Sequence, residues 1–202
     1  NISPKIVFTS STNVFGNIDS TTITEDTREE VAAIWSAHKL LGENYLRILN
    51  KLHNVKYTVL MLPNVYGPST SIDLMDRMVV NRVIKNAITN NVVTLFDNKS
   101  CLRDYLYIDD VIDAFQLLLD IDDIYYNGSR FLLGSNKRRT IEDVWQEIVN
   151  QIPGTSVNYN TIELASVEYR DYISSTDKFN SATKWSPKVK LSDGIAKTIE
   201  VY

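Results

Sequence analysis

The sequence predicts an α/β fold built on a parallel sheet, and three observations carry that prediction. Short apolar runs suited to buried strands alternate with amphipathic stretches of helical spacing along the whole chain. The junctions between them are rich in Gly, Pro, Asn, Asp, Ser and Thr. The 202 residues, 44% hydrophobic and 23% charged, have the composition of a globular protein with one sizeable core, or with a core and a small second lobe.

The first element is a buried strand over Lys5–Thr9, where Ile, Val and Phe follow one another. Residues 10–26, rich in Ser, Thr, Asn and Asp, read as a loop. Thr27-Arg28-Glu29-Glu30 has the form of a capping box and predicts a helix from there to about Leu52. Its apolar positions Val31, Ile34, Trp35, Leu41, Tyr45, Ile48, Leu49 and Leu52 recur at helical spacing. A strand over Tyr57–Leu62 ends at Pro63, a helix follows over Met75–Thr89, and a strand over Val92–Phe96. Tyr105–Ile108 reads as a short strand. Asp109 and Asp110 then open a helix to about Leu119, with acids at its positive end. Phe131–Leu133 is a strand closed by Gly134. Thr140-Ile141-Glu142-Asp143 starts a helix with Asp in place of the usual Glu of a capping box. A strand at Ser156–Tyr159, a short helix near 177–184 and a terminal helix from Ser192 complete the series.

The bulk properties exclude several functions. A net charge of −4 gives no electrostatic basis for nucleic acid or an anionic membrane as partner. No apolar run approaches the roughly 20 residues of a membrane span, and no secretion signal opens the chain. The lone Cys101 cannot form an internal disulfide, in keeping with a cytoplasmic location, and without a secretion signal Asn98-Lys99-Ser100 and Asn127-Gly128-Ser129 read as chance glycosylation patterns. Two histidines and one cysteine, scattered, suggest no metal site.

Chemistry concentrates in two segments. Thr9-Ser10-Ser11-Thr12-Asn13-Val14-Phe15-Gly16 follows the first strand, and Ile34-Trp35-Ser36-Ala37-His38-Lys39-Leu40-Leu41-Gly42-Glu43 lies in the long helix. Trp35, Lys39 and Glu43 share one helix face. Together the segments resemble the Ser … Tyr-x-x-x-Lys active site of the extended short-chain dehydrogenase/reductase family, which holds the nucleotide-sugar epimerases and dehydratases. Ser11 and Lys39 fall on that family's serine and lysine, and Trp35 stands where its catalytic tyrosine belongs. The resemblance implies a phenol that exchanges a proton at the sugar carbon, a lysine that lowers its pKa and binds the nicotinamide ribose, and a serine on the same oxygen. Indole has a donor N–H but no accessible deprotonated state, so Trp35 is no base. On pattern alone it is a large apolar residue packing the helix, and Lys39 alone is a solvated lysine. His38 lies about 100° away around the helix.

Five further stretches extend the resemblance, in the family's order along the chain. Leu62-Pro63-Asn64-Val65-Tyr66-Gly67-Pro68 is similar to the segment in which the asparagine, here Asn64, contacts the diphosphate region. Met61 stands where its arginine is expected, and Leu62 is assigned to the cofactor. Leu102-Arg103-Asp104-Tyr105-Leu106-Tyr107-Ile108-Asp109-Asp110-Val111 resembles the signature whose arginine pairs with the substrate diphosphate, a task suited to guanidinium. Thr94-Leu95-Phe96 resembles the strand that cradles the nucleobase, although Phe96 reads equally as core. Tyr169-Arg170-Asp171, with Ser175-Thr176-Asp177-Lys178, resembles the late phosphate-binding arginine. Ala182 to Gly194, with Trp185 and Pro187, resembles the family's closing segment.

The resemblance implies the second half of a Rossmann-type doubly wound parallel sheet plus a smaller α/β substrate-binding lobe. Residues 1–67 belong to the first part and 68–202 mainly to the second, with part of 103–135 returning to the first. The chain starts at Asn1, and its seven glycines contain no Gly-x-Gly-x-x-Gly or Gly-x-x-Gly-x-x-Gly. A missing N-terminal half carrying that loop is therefore expected, with weak or absent cofactor binding and no activity in the chain by itself. For the whole protein the resemblance implies NAD or NADP, a nucleotide-sugar substrate and a homodimer formed through long helices. Ser11 is followed by Thr12-Asn13 rather than the Asp-Glu pair of dehydratases, which leaves epimerisation or 4-reduction by hydride transfer. The other reading is a catalytically weakened homologue that binds a nucleotide or nucleotide sugar as sensor, scaffold or partner subunit.

Overall fold

The computed structural model describes residues 5–16, 20–122, 126–161, 164 and 170–202. Three strands, β1 (Lys5–Ser11), β3 (Lys56–Leu62) and β7 (Ser129–Leu132), form a parallel sheet in the order β1-β3-β7. Its register pairs Ser11 with Leu62 and Leu60 with Phe131. The other named strands pair two by two, again in parallel: β2 (Thr22–Ile23) with β9 (Ile173–Ser174), β4 (Asn64–Tyr66) with β6 (Tyr105–Tyr107), and β5 (Val92–Phe96) with β8 (Ser156–Asn160). Parallel pairing requires crossover connections. Helices α1 (Ile34–His53), α2 (Val79–Asn90) and α3 (Ile108–Asp120) lie in such crossovers. Helices α4 (Ile141–Gln151), α5 (Asp177–Thr183) and α6 (Leu191–Ile199) follow. The α/β class with a parallel sheet is the one the sequence predicts.

Three apolar clusters hold these layers together. One joins α2, β5, α4 and α6 through Val80, Ile84, Val93, Leu95, Trp145, Ile148 and Ile195. A second packs Leu60, Phe131, Ala114, Leu118, Phe179 and Trp185 on one side of the sheet, and a third packs Val14, Phe15, Val59, Met61, Leu132 and Tyr172. Each fully buried side chain of this size is worth about 1.5–3 kcal/mol.

Four expectations need correction. The long helix starts at Ile34, not at Thr27. Thr27 Oγ1 accepts from the Thr24 amide at 2.9 Å, closing a turn behind it, and the Glu30 amide donates to the Val14 carbonyl at 3.1 Å. A bond across the fold thus takes the group that the capping box would have used. The apolar positions of α1 do not form its buried face: Ile34, Tyr45 and Leu52 are 79%, 57% and 70% exposed, whereas Ser36, Glu43 and Leu46 are buried. The helix meets the sheet through small residues; a Cβ on Gly42 would lie 2.5 Å from the Phe8 ring. The stretch from residue 75 is likewise not one helix. A 3₁₀ turn over Ile72–Arg77 precedes α2, and Met78 between them is extended. In contrast, Thr140 and Asp143 form both capping-box bonds, at 3.0 and 2.8 Å, so Asp reaches as Glu would. The loop expected over 10–26 contains a 3₁₀ turn at Thr12–Phe15 and the short β2.

Candidate active site

The sequence-predicted residues fall into two groups. Ser11, Leu62 and Lys39 gather at the carboxyl edge of the β1–β3 sheet, the edge at which α/β sheets bind ligands. Ser11 and Leu62 are register partners. The Ser11 hydroxyl caps the 3₁₀ turn by accepting from the Asn13 amide at 3.2 Å. Lys39 lies one helical turn beyond Trp35, and its Nζ donates to the Thr9 carbonyl at 2.7 Å, 5.5 Å from the Phe8 ring centre. Beneath this edge the buried Glu43 carboxylate accepts from the Ser10 hydroxyl and faces Arg130 Nε at 2.9 Å; Arg130 also reaches Glu29 at 2.7 Å. Burial pushes the Glu43 carboxyl above its ordinary value, against the lowering effects of Ser10 and Arg130.

The second group lines a cavity of about 700 Å³ that contains Trp35, Asn64, Phe96, Arg103 and Arg170. Its walls come from the start of α1, the first turns of α2, β5, β6 and the segment that enters β9. Trp35 is half-exposed there. Asn64 Nδ2 donates to the Tyr172 hydroxyl at 2.9 Å and to the Asp104 carbonyl at 3.2 Å. Arg103, only 7% exposed, donates through Nη1 to the Leu102 carbonyl at 3.0 Å and to the Arg170 carbonyl. Arg170 donates to the Gly16 carbonyl at 2.5 Å and to Asn13 Oδ1, which ties the late arginine to the loop that follows Ser11. Its neighbour Tyr169 lies outside the described residues.

Gly16 makes this joint possible. Its φ is 55°, and a Cβ there would overlap the Glu30 carbonyl oxygen. Asp104, next in sequence to Arg103, ties the β7 exit to β9. Fully buried, it accepts from Ser135 N at 2.8 Å, Ser135 Oγ at 2.7 Å and Ser174 N at 3.0 Å. Burial raises its pKa, and those same bonds pull the other way. Asp110, in the same sequence stretch, accepts from the Lys188 and Val189 amides at 2.8 and 3.2 Å and so holds the C-terminal segment.

The described lining residues include three arginines (82, 103 and 170) and, among them, no carboxylate, lysine or histidine. Such a surface favours a polyanion of nucleotide size. Sequence reasoning did not single out Arg82, Asn98 or Tyr172, which also face the cavity. Arg82 carries the one usable signal, a cation on the cavity side of α2. Tyr172 has none, since its role depends on residues far away in the chain. Among the described residues no cluster of His, Cys, Asp or Glu could hold a metal ion, and no helix is long and apolar enough to cross a membrane.

The chain is similar to known proteins over nearly its whole length. It is 27% identical over 201 residues to a UDP-glucose 4-epimerase of Mycolicibacterium smegmatis, a match covering 98% of this chain and 62% of the relative. It is 27% identical over 208 residues to a dTDP-4-dehydro-6-deoxyglucose reductase of Escherichia coli, covering 97% and 60%. The chain therefore spans about three fifths of the length of these relatives. Among solved structures, it superposes on the UDP-glucose 4-epimerase of Thermotoga maritima with UDP-glucose at a TM-score of 0.85 and 25% identity, covering 97% of this chain and 62% of that one. It superposes on the UDP-glucuronic acid 4-epimerase of Bacillus cereus, in complex with UDP-glucuronic acid and NAD, at 0.83 and 25%, covering 97% and 60%. The sheet is thus part of a Rossmann-type fold. Residues 1–134 match the model of the NAD dependent epimerase/dehydratase family, and the chain belongs to that family.

Proposed function

We propose that this chain supplies the nucleotide-sugar cavity and the nicotinamide-facing edge of an NAD(P)-dependent nucleotide-sugar epimerase or reductase. The observation that carries this reading is the joining of Asn64, Phe96, Arg103 and Arg170 on one cavity that also holds Trp35. In it, Arg103 and Arg170 bind the diphosphate, Phe96 covers the base and Asn64 fixes the diphosphate region. Residues 1–67 with part of 103–135 then form the cofactor side, and most of 68–202 the substrate side.

The carboxyl edge of the sheet fits a nicotinamide ribose. The Lys39 ammonium carries three donors, and the bond to the Thr9 carbonyl uses one of them while fixing the side chain against β1. When bound, the nicotinamide supplies a reversible hydride acceptor. The chain's own residues hold the sugar and manage the hydroxyl proton. Ser11 can hydrogen-bond the sugar oxygen, while the Trp35 indole donates but takes no proton, so the proton must pass to another group or to water. Homodimerisation is part of the reading, supported by the exposed Leu41, Tyr45, Ile48 and Leu52 on α1.

A second reading is favoured by Trp35 itself and by the lack of a carboxylate, lysine or histidine among the described cavity residues: a homologue that binds a nucleotide sugar without turning it over. The two separate in one experiment. The protein, extended to the full length of its relatives, is incubated with NAD(H), NADP(H) and UDP-, dTDP-, GDP- and CDP-sugars and analysed by chromatography with mass spectrometry. A new peak of unchanged mass means epimerisation, and a gain of two hydrogens on a keto-sugar means reduction. Loss of water would contradict the inference from Thr12-Asn13. Trp35→Tyr should raise the rate by roughly 10²-fold. Untouched substrates with binding retained would establish the second reading.

A further inference from the structure

Arg103 and Arg170 are 67 residues apart in sequence, yet four interactions zip their segments together. Leu102 N donates to Asp171 Oδ1 at 2.7 Å, Tyr172 N donates to the Leu102 carbonyl at 3.2 Å, and Arg103 Nη1 donates to the Arg170 carbonyl. The fourth is an aromatic ring shared by two cations. Arg170 Cζ lies 4.7 Å and Arg103 Cζ 5.6 Å from the centre of the Tyr172 ring. Both are within cation–π range, where the negative face of an aromatic ring attracts a guanidinium. The ring is 3% exposed, and its hydroxyl is pinned by Asn64 Nδ2 at 2.9 Å. Tyr172 therefore has little freedom of its own.

Two like charges drawn to one site repel each other, and each long side chain loses rotamer freedom when held. A neutral, electron-rich ring that touches both offsets part of that repulsion before any ligand arrives. A leucine of similar bulk would fill the space without doing so. Burial keeps the phenol protonated, since it raises the pKa despite the two nearby cations.

We propose that Tyr172 is a positioning residue that preorganises Arg103 and Arg170 as a pair, so that the cavity selects a diphosphate over a monophosphate of the same nucleoside. This rests on the nucleotide-sugar reading of the cavity and adds to it the residue that sets the anion preference. A monophosphate needs only one guanidinium and gains little from the pairing. A diphosphate engages both, and any loosening of their relative orientation weakens it selectively.

The test is calorimetric titration of the full chain with UDP, dTDP, GDP and CDP and with the four matching monophosphates. Wild type, Tyr172→Phe and Tyr172→Leu are compared, along with a protein in which Tyr172 is replaced by pentafluorophenylalanine. That last replacement keeps the ring's shape but reverses the charge of its face, so it stands in if Tyr172→Leu does not fold. The expected result is a wild-type preference for the diphosphate that Tyr172→Phe keeps within about twofold. Tyr172→Leu and the fluorinated ring should cut diphosphate affinity about tenfold and change monophosphate affinity less than twofold. Equal losses on both ligands, or a fluorinated ring that behaves like Phe, would overturn the proposal while leaving the nucleotide reading intact. If wild type binds none of the eight nucleotides, the nucleotide reading itself fails and the proposal falls with it.

Discussion

The proposed cofactor-side edge and the proposed anion-binding cavity are built by different means. At the edge, Ser11, Leu62 and Lys39 are placed by strand register and by one helix docked on one strand, within about sixty residues of chain. In the cavity, Asn64, Arg103 and the Arg170–Tyr172 stretch come from three separate segments, joined by side-chain bonds such as those from Arg103 to the Arg170 carbonyl and from Asn64 to the Tyr172 hydroxyl. The first kind of site follows from the topology of the sheet. The second depends on a few polar clasps, and damage to one clasp should disturb binding while most of the sheet stays in place.

The strongest way to break both regions together is at their joint. Gly16→Ala should cost about 3 kcal/mol or more, because a Cβ would overlap the Glu30 carbonyl at a positive φ, and the Gly16 carbonyl also holds Arg170. Chemical denaturation measures this, and a cost below 1 kcal/mol would mean that the loop has another conformation. Asp104→Ala should destabilise by about 2–3 kcal/mol, since it strands the Ser135 and Ser174 amides. Its effect on nucleotide binding should exceed any effect on reactivity or exchange at Lys39, which would show that the two regions fail separately.

A subtler contrast lies in pH dependence. Burial raises the Glu43 carboxyl above its ordinary 4.5, so the folded state holds the proton more tightly than the unfolded chain. Its contribution to stability is fully present below pH 4.5 and is lost as pH rises through the raised folded-state value. Asp104, raised by the same cause from 3.8, adds a slope of the same sign. Glu43→Gln should flatten part of this decline in denaturation curves recorded from pH 4 upward; an unchanged slope would place the titration elsewhere. The smallest expected effect is at Lys184, the residue after α5, which sits at φ 63°. Lys184→Gly should stabilise the chain by about 0.5–1 kcal/mol and leave ligand binding untouched, because the site lies in neither region.

How much of this was legible in the sequence follows the same division. Strands such as Val92–Phe96 and the capping box at Thr140 were readable because short apolar runs and local caps carry their own signals. The start of α1 was not: Thr27 and Glu30 satisfy a local pattern, but the Glu30 amide is claimed by Val14, a partner that only the fold supplies. The apolar positions of α1 have helical spacing, which cannot say which face meets the sheet. Gly42 and Ser36 mark that face instead, through their small size. In the cavity, Asn64, Phe96, Arg103 and Arg170 were named from motifs and lie on one surface. Tyr172 could not be named, because its significance arises only when two distant arginines converge on it.

The most direct test of the central claim, that the cavity binds a nucleotide sugar through Arg103, is a calorimetric titration of the chain and of its Arg103→Gln variant. UDP-, dTDP-, GDP- and CDP-glucose serve as ligands, with thermal unfolding as the check on folding. The account predicts saturable binding of at least one sugar nucleotide, weakened at least tenfold by Arg103→Gln in a folded protein. Equal binding by the folded variant, or no binding by the wild type, would contradict it.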